Sequence, residues 1–354
     1  MSTIQEPGTP RKGRITVKDR LASKCDVFTW KILLFHHHTM EDLANRIARH
    51  FPEHIKLGKI NYERFPDGWP NISVHPDSMA IIEVAPMTVY LGAFDRPDYL
   101  FEQFALLYAM PRFLTRNFRV ICPYFPTATM ERAERKGEIA TAKTFAKLCS
   151  AIPFGVTGPP VMTIFDIHSL AEEFFFDNIH VDLQSAIPLI QDIIYDEVAD
   201  MKDVDGLEWA IAFPDDGAWK RFHLCFPDVE DVVCLKVREG NKRKITIKEG
   251  NPQGRHCIIV DDLVQTGGTL LNCAQALKDA GAVKISCYVT HGIFPNESWK
   301  KFVDNDLIDT VWLTDSIPST ANTVRGIKPF EILSLADLIG IQLYTFFTRT
   351  ATKT

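Results

Sequence analysis

The chain has 354 residues, 46 % of them apolar and 24 % charged, with a formal net charge of -6. That length and composition suit a globular protein of two domains, and the acidic balance excludes a general nucleic-acid binder, which carries a basic face. No run approaches the ~18 apolar residues a bilayer span needs, and the eight cysteines, none in a CxxC pair, read as buried free thiols in a reducing compartment.

Residues 1–25 are polar and of mixed charge, without an apolar leader core. A disordered arm and a cytoplasmic chain are expected, an organellar leader being the alternative. Val27–Phe35 reads as a strand. His36, His37, His38 and Thr39 follow, and Thr39 with Asp42 makes a capping box for a helix over Met40–His50. Three consecutive histidines admit a metal, but a strand-to-helix turn offering its amides to an anion is the stronger expectation. Ala80–Val84 and Tyr90 read as strand, Tyr99–Phe113 as helix, Arg119–Cys122 as strand and Glu138–Cys149 as helix. Val161–Ile167 is a strand running into Asp166-Ile167-His168.

The second half alternates in the same way. Ala186–Val198 is helical. Trp209–Phe213 is a strand followed by Pro214-Asp215-Asp216-Gly217, and a helix begins within Ala218–Leu224. Val232–Val237 is a strand, and Arg238–Gly254 is a long polar stretch. Cys257–Val260 is a short apolar strand. Thr269–Ala280 is an amphipathic helix stopped by Gly281, and Val283–Val289 is the next strand. Strand, helix and strand at this spacing form a parallel βαβ unit. Two halves of similar size suggest duplication, although no repeated motif shows it.

The segment richest in chemistry is Cys257–Leu270. Four apolar residues bury a strand, and Asp261 and Asp262 follow at its carboxyl end, where ligands of open α/β sheets bind. Gln265, Thr266, Gly267, Gly268 and Thr269 then turn into a helix. Glycines let successive N–H groups converge on one concavity at the positive helix end, which suits a phosphate monoester. The carboxylate pair suits adjacent sugar hydroxyls. The bland alternative is a plain capped βα turn. No Walker loop and no Gly-x-Gly-x-x-Gly fingerprint occurs.

Val260–Leu270 resembles the ribose-phosphate motif of type I phosphoribosyltransferases and of phosphoribosyl pyrophosphate (PRPP) synthetases. Other segments select the synthetases. Phe165-Asp166-Ile167-His168 resembles their Asp-Leu-His signature, and Phe213–Arg221 their Ser-Pro-Asp-x-Gly segment. Lys236-Val237-Arg238 resembles the Lys-x-Arg at the head of their mobile loop, and Thr290–Phe294 is similar to a further segment. The matches keep the synthetase order from about Val27 to Asp337 and look most like the plant-type class II branch, described as phosphate-independent and looser in its nucleotide donor.

The resemblance implies two phosphoribosyltransferase-like α/β domains, 26–184 and 185–335, with a C-terminal helix and tail over 336–354. It implies transfer of the β,γ-diphosphoryl group of ATP to the 1-hydroxyl of ribose 5-phosphate, giving PRPP and AMP. A phosphoribosyltransferase and a non-catalytic synthetase-associated subunit are the alternatives. By the same resemblance, Lys236, Arg238 and His168 are catalytic, and Asp261, Asp262, Gln265, Thr266, Gly267, Gly268 and Thr269 hold ribose 5-phosphate. Phe65, Asp67 and His168 touch ATP, and Asp166, His168 and Asp215 hold Mg2+, with Asp177 a weaker candidate. A homo-oligomer sharing nucleotide sites is implied. Two departures bear on adenine: Trp69 stands where a Glu is usual, and Thr127-Ala128-Thr129-Met130 replaces an Arg-Gln pair of the class I enzymes.

Overall fold

Two sheets organise the chain in a computed structural model that describes residues 32–196, 205–239 and 242–351. The expected arm, the start of the first strand and the residues after Asp196 in the fourth expected helix lie outside the described residues. The first half supplies β1 (Ile32–His36), β2 (Ile55–Leu57), β3 (Ile60–Arg64), β4 (Pro70–Val74), β5 (Met87–Leu91), β6 (Asn117–Cys122), β7 (Val161–Phe165) and β8 (His180–Gln184). Six of these form a parallel sheet in the order β2-β1-β5-β6-β7-β8, while β3 and β4 make a separate antiparallel hairpin. Helices cover both faces, so the strands read as continuous apolar runs. Met87–Leu91 is buried throughout.

The second half supplies β9 (Trp209–Phe213), β10 (Glu230–Glu239), β11 (Lys242–Glu249), β12 (His256–Val264), β13 (Lys284–Gly292), β14 (Thr310–Thr314) and β15 (Phe330–Leu333). They form one sheet in the order β11-β10-β9-β12-β13-β14-β15, parallel except for the β10–β11 hairpin. The mainly parallel, helix-flanked architecture is the one expected.

Two local expectations are corrected. Residues 76–82 form a helix instead of the strand expected at Ala80–Val84. His75 caps it through the Asp77 N–H, and Pro76 occupies its first turn, where a missing N–H costs nothing. Much of the polar Arg238–Gly254 stretch is β11, whose Ile245 and Ile247 alternate with polar residues and face the core. The seven described cysteines are free thiols.

Each half lends the other a cover, or receives one. The Ile187–Asp196 helix puts Ile187, Ile190 and Ile194 on the second sheet, against Trp209, Ile211 and Phe213. The Ala336–Ala351 helix returns to the first sheet and buries Ile339, Leu343 and Phe347 beside Leu43, Ile47 and Phe51. Gly340 permits that approach, because a Cβ there would lie 2.0 Å from the Phe51 ring.

A repeated device marks both crossovers. Asp166, after β7, accepts hydrogen bonds from Ser185 Oγ (2.7 Å) and Ala186 N (2.9 Å) at the start of the 187–196 helix. Asp315, after β14, accepts from Ser334 Oγ (2.8 Å) and Leu335 N (2.8 Å) at the start of the 336–351 helix. In each case a buried carboxylate meets helix N-terminal donors, which compensates its desolvation. This shared geometry supports the duplication that the two halves suggest.

Candidate active site

The carboxyl end of β12 opens into a cavity of about 440 Å³ lined by the Asp261–Leu270 segment. His168, Asp215, Arg221 and Thr129 complete its polar walls. Sequence reasoning ended the strand at Val260 with the carboxylates after it; the structure runs β12 on to Val264, so Asp261 and Asp262 stand within its carboxyl-terminal half and the loop follows.

Gly267 makes the turn. Its φ of +80° is left-handed, and a Cβ would stand 2.4 Å from Phe302. The Gly268–Asp279 helix starts at once, so the Gly268 and Thr269 amides belong to a first turn that has no intrahelical acceptor. Lys301 Nζ donates to Thr266 O at 3.0 Å and Ser298 Oγ to Gln265 O at 3.2 Å. With two loop carbonyls engaged from outside, the cavity side is left to donors, as an anion requires.

His168 comes from the first half and Asp262 from the second. His168 Nδ1 and Asp262 Oδ2 are 2.7 Å apart. Arg221 donates to His168 O at 3.2 Å and lies 3.7 Å from both Asp262 and Asp166. The bond to Asp262 raises the His168 pKa above its usual value. Burial pushes Asp262 up, but His168 and Arg221 outweigh it and hold that carboxyl below the usual carboxylate range. Burial and the Asp262 charge push Asp261 well above it. The two carboxyls are therefore shifted in opposite directions, Asp262 toward the ionised form and Asp261 toward the protonated one.

Asp215 accepts from Gly217 N (3.0 Å) and Ala218 N (3.1 Å), capping the Asp216–Phe222 helix at the cavity wall. Thr129 accepts from Gln265 Nε2 at 3.3 Å, so the departing Thr127–Met130 segment touches the Gln265–Thr269 loop.

Other expected residues stand elsewhere. Asp166, expected at the metal, is 2 % exposed and is not among the cavity-lining residues. Both of its oxygens are engaged, by Ser185, by Ala186 and by Thr290 Oγ1 at 2.6 Å. Asp177 pairs with Lys147 at the surface. Phe65 and Asp67 lie on the exposed turn between β3 and β4, outside this cavity. Lys236 and Arg238 belong to β10, but their side chains lie outside the described residues.

Sequence reasoning gave no role to two residues beside the His168–Asp262 pair. Arg221 ends the quoted Phe213–Arg221 segment, but one basic residue in a helix carries no pattern of its own. Glu172 is fully buried, and neither carboxylate oxygen has a hydrogen-bond partner. Burial lifts its pKa to about 8, with His168 opposing the shift and Glu131 adding to it.

Comparisons with known proteins agree with one another. A profile described as the N-terminal domain of ribose phosphate pyrophosphokinase matches residues 32–152, and one described as a phosphoribosyl synthetase-associated domain matches residues 228–340. "Ribose-phosphate pyrophosphokinase 3, chloroplastic" from Oryza sativa subsp. japonica is 45 % identical over 88 % of this chain and 76 % of its own length. "Ribose-phosphate pyrophosphokinase 4" from Arabidopsis thaliana is 42 % identical over 88 % of this chain and 91 % of its own. The crystal structure of phosphoribosylpyrophosphate synthetase from Mycobacterium smegmatis shares the fold, with a TM-score of 0.73 at 20 % identity, over 90 % of this chain and 99 % of that one.

Proposed function

The chain belongs to the ribose-phosphate pyrophosphokinase family, and from that premise we propose that the β12 cavity is where ribose 5-phosphate receives the β,γ-diphosphoryl group of ATP, giving PRPP and AMP. The observation that carries this reading is the union of a glycine-threonine cradle with a carboxylate pair at one strand end, joined at 2.7 Å to a histidine from the other half.

The amides of Thr266–Thr269 and the hydroxyls of Thr266 and Thr269 hold the 5-phosphate, with Gln265 at the rim. Asp262, held toward its ionised form, accepts from a ribose hydroxyl, and Asp261, shifted toward its protonated form, bonds the neighbouring hydroxyl. Lys236 and Arg238 neutralise charge spreading over the transferring phosphoryl oxygens. The base of their β10–β11 hairpin stands at the cavity wall, where Lys248 of β11 pairs with Asp216 at 2.8 Å. A phosphoribosyltransferase would keep the cradle but has no use for a histidine from a second α/β half.

The donor set fits Mg2+, because carboxylates and an imidazole share one cavity with room for phosphate oxygens and water. His168, through Nε2, and Asp215 are the residues we assign to it. When bound, Mg2+ would neutralise phosphate charge. Asp166 is left out, its oxygens being committed to the crossover.

Phe65 and Asp67 are exposed and lie outside this chain's cavity, which fits a homo-oligomer in which they serve ATP at a neighbouring copy. Trp69 at that turn and Thr129 at the cradle favour a nucleotide site less selective for adenine. We place the chain in the cytoplasm on the mixed-charge character of residues 1–25. Relatives are named chloroplastic and mitochondrial, and imaging a fluorescent fusion of the full chain decides. No helix among the described residues is long and apolar enough to cross a membrane.

The test is direct. Protein, Mg2+, ATP and ribose 5-phosphate should yield AMP and PRPP without added inorganic phosphate. Lys236→Ala should lower kcat by roughly two to four orders of magnitude while ribose 5-phosphate still binds. AMP no higher than in a protein-free control would remove the reading and leave the non-catalytic subunit.

A further inference from the structure

The histidine run after β1 does not do what its sequence suggests. The His37 N–H donates to Leu91 O at 2.9 Å, so that amide is spent on the sheet edge and does not face an anion. Thr39 does not cap the Glu41–His50 helix either: its hydroxyl meets His37 Nδ1 at 2.8 Å. The ring nitrogens converge instead on one carboxylate. His37 Nε2 lies 2.8 Å and His38 Nε2 3.6 Å from Glu102 Oε1, and the three atoms all lie within 4.8 Å of one another.

We propose that His37 Nε2, His38 Nε2 and Glu102 Oε1 form a binding site for one transition-metal dication of the zinc class, separate from the Mg2+ of the reaction. Two imidazoles and a carboxylate are a common ligand set for such ions. Ligands ~2.1 Å from a tetrahedral ion stand about 3.4 Å apart, which the two Glu102 distances bracket.

What separates this from an accidental pairing is the support behind each ligand. Glu102 divides its oxygens: Oε1 faces both imidazoles, and Oε2 receives Arg64 Nη2 at 3.2 Å. His37 is anchored at Nδ1 by the Thr39 hydroxyl. Oriented outer partners of this kind are what metal ligands require. His37 and Glu102 are buried, and the rings of Tyr62 and Tyr99 flank both histidines within 5.6 Å, shielding the centre from water. His38 is half exposed, which leaves an entry path and a fourth position for water.

Binding needs no net proton loss. Burial, chiefly, holds His37 neutral, with a pKa of about 4. In the metal-free state Nε2–H donates to Glu102. On binding, that proton moves to Nδ1 and the Thr39 hydroxyl turns from donor to acceptor, at the cost of the long 3.4 Å bond that Nδ1 accepts from Thr39 N. Arg64 ends β3 and also donates to Gly68 O at 3.1 Å, so Glu102 already joins the turn of the β3–β4 hairpin to the Leu100–Ala109 helix, and a metal on Oε1 would extend that link to His37 and His38.

The experiment is a Co2+ titration of the full chain in excess Mg2+ and without substrates, read by the intense visible absorption of four-coordinate cobalt and by equilibrium dialysis. Wild type should bind one Co2+ that Zn2+ displaces. His38→Ala changes only a half-exposed ring and should lose at least tenfold in affinity for that equivalent, while unfolding at the same temperature as wild type in chelator. Glu102→Gln is the second variant and should lose the same band. Cobalt isotherms of wild type and His38→Ala that superimpose, or a wild type without the band, would overturn the proposal. Turnover enters none of these readouts, so the proposed activity can fail or stand independently.

Discussion

His168 and Asp262 lie 94 positions apart in the chain and meet at 2.7 Å, the one from the loop after β7, the other from the end of β12. That contact fastens the two halves where the reaction is proposed to occur, and it gives each partner a shifted charge. His168, with its pKa raised above 6.5, contributes stability that is complete below that value and lost as pH rises through its folded pKa. Asp262, lowered below 3.8, contributes stability that is present above that value and lost as pH falls through its folded pKa. In metal-free protein the pair should therefore stabilise most between those limits. Asp262→Asn should return the His168 titration, followed by NMR, toward 6.5, and should raise the KM for ribose 5-phosphate more than kcat falls. An unmoved His168 titration would contradict the pairing, and an unmoved KM would contradict the assignment to the sugar hydroxyls.

Gly267 tests the cradle. Its left-handed φ alone should make Gly267→Ala cost roughly 1–2 kcal/mol, and the new Cβ would press on Phe302, 2.4 Å away. Thermal unfolding should fall by several degrees, and the KM for ribose 5-phosphate should rise by tenfold or more. Gly267→Ala with Phe302→Leu should ease the collision but keep the backbone strain, so only part of the lost stability should return. Wild-type KM in the single variant would show that these amides do not hold the phosphate.

Glu172 makes a prediction of opposite sign. Its folded pKa is about 8 against an ordinary value of 4.5, so between them the folded state binds one proton more than the unfolded state. Stability attributable to Glu172 should then fall as pH rises through this range, by about 1.4 kcal/mol per pH unit at most. Glu172→Gln removes the titration. Urea unfolding at pH 5 and at pH 8 should show the variant gaining on wild type at the higher pH. A difference between the two proteins that does not change with pH would mean that Glu172 is not held protonated.

How much of this was legible in sequence depended on whether the reason for a residue lay nearby. The β12 strand, its carboxylates and its glycine turn are consecutive, so their order alone implied a site. Asp166 carries more than the Asp-Ile-His signature shows, because the groups that hold its carboxylate, Ser185 and Thr290, lie 19 and 124 positions on. The same Asp-to-Ser spacing of 19 recurs at Asp315 and Ser334, a signal that could have marked both aspartates as structural. His75-Pro76-Asp77 announced a helix start that the apolar run behind it obscured. The convergence of His37 and His38 on Glu102 has no sequence trace, since 65 positions separate His37 from the carboxylate.

Arg119 shows how the C-terminal helix is held, and it can be tested without any assay of activity. It is 2 % exposed at the centre of the first sheet, bonded at 3.1 Å to Asp182 and to Thr163, with its guanidinium 3.8 Å from the centre of the Phe346 ring. Burial lowers its pKa to about 10, still high enough to keep the charge. Asp182 also receives Gln342 Nε2 at 2.7 Å, so two side chains of the 336–351 helix converge on this pair. Removing the cation leaves a carboxylate short of its charge partner, a loss of about 3 kcal/mol for buried pairs. Gln342, Gln184 and partial exposure of Asp182 moderate that figure. Arg119→Met should therefore cost roughly 2 kcal/mol by urea unfolding. Hydrogen exchange should rise first in residues 336–348, because the helix loses its cation–π contact before the sheet loses a strand. Exchange that rises evenly over both sheets would mean that Arg119 supports the core at large and not this helix.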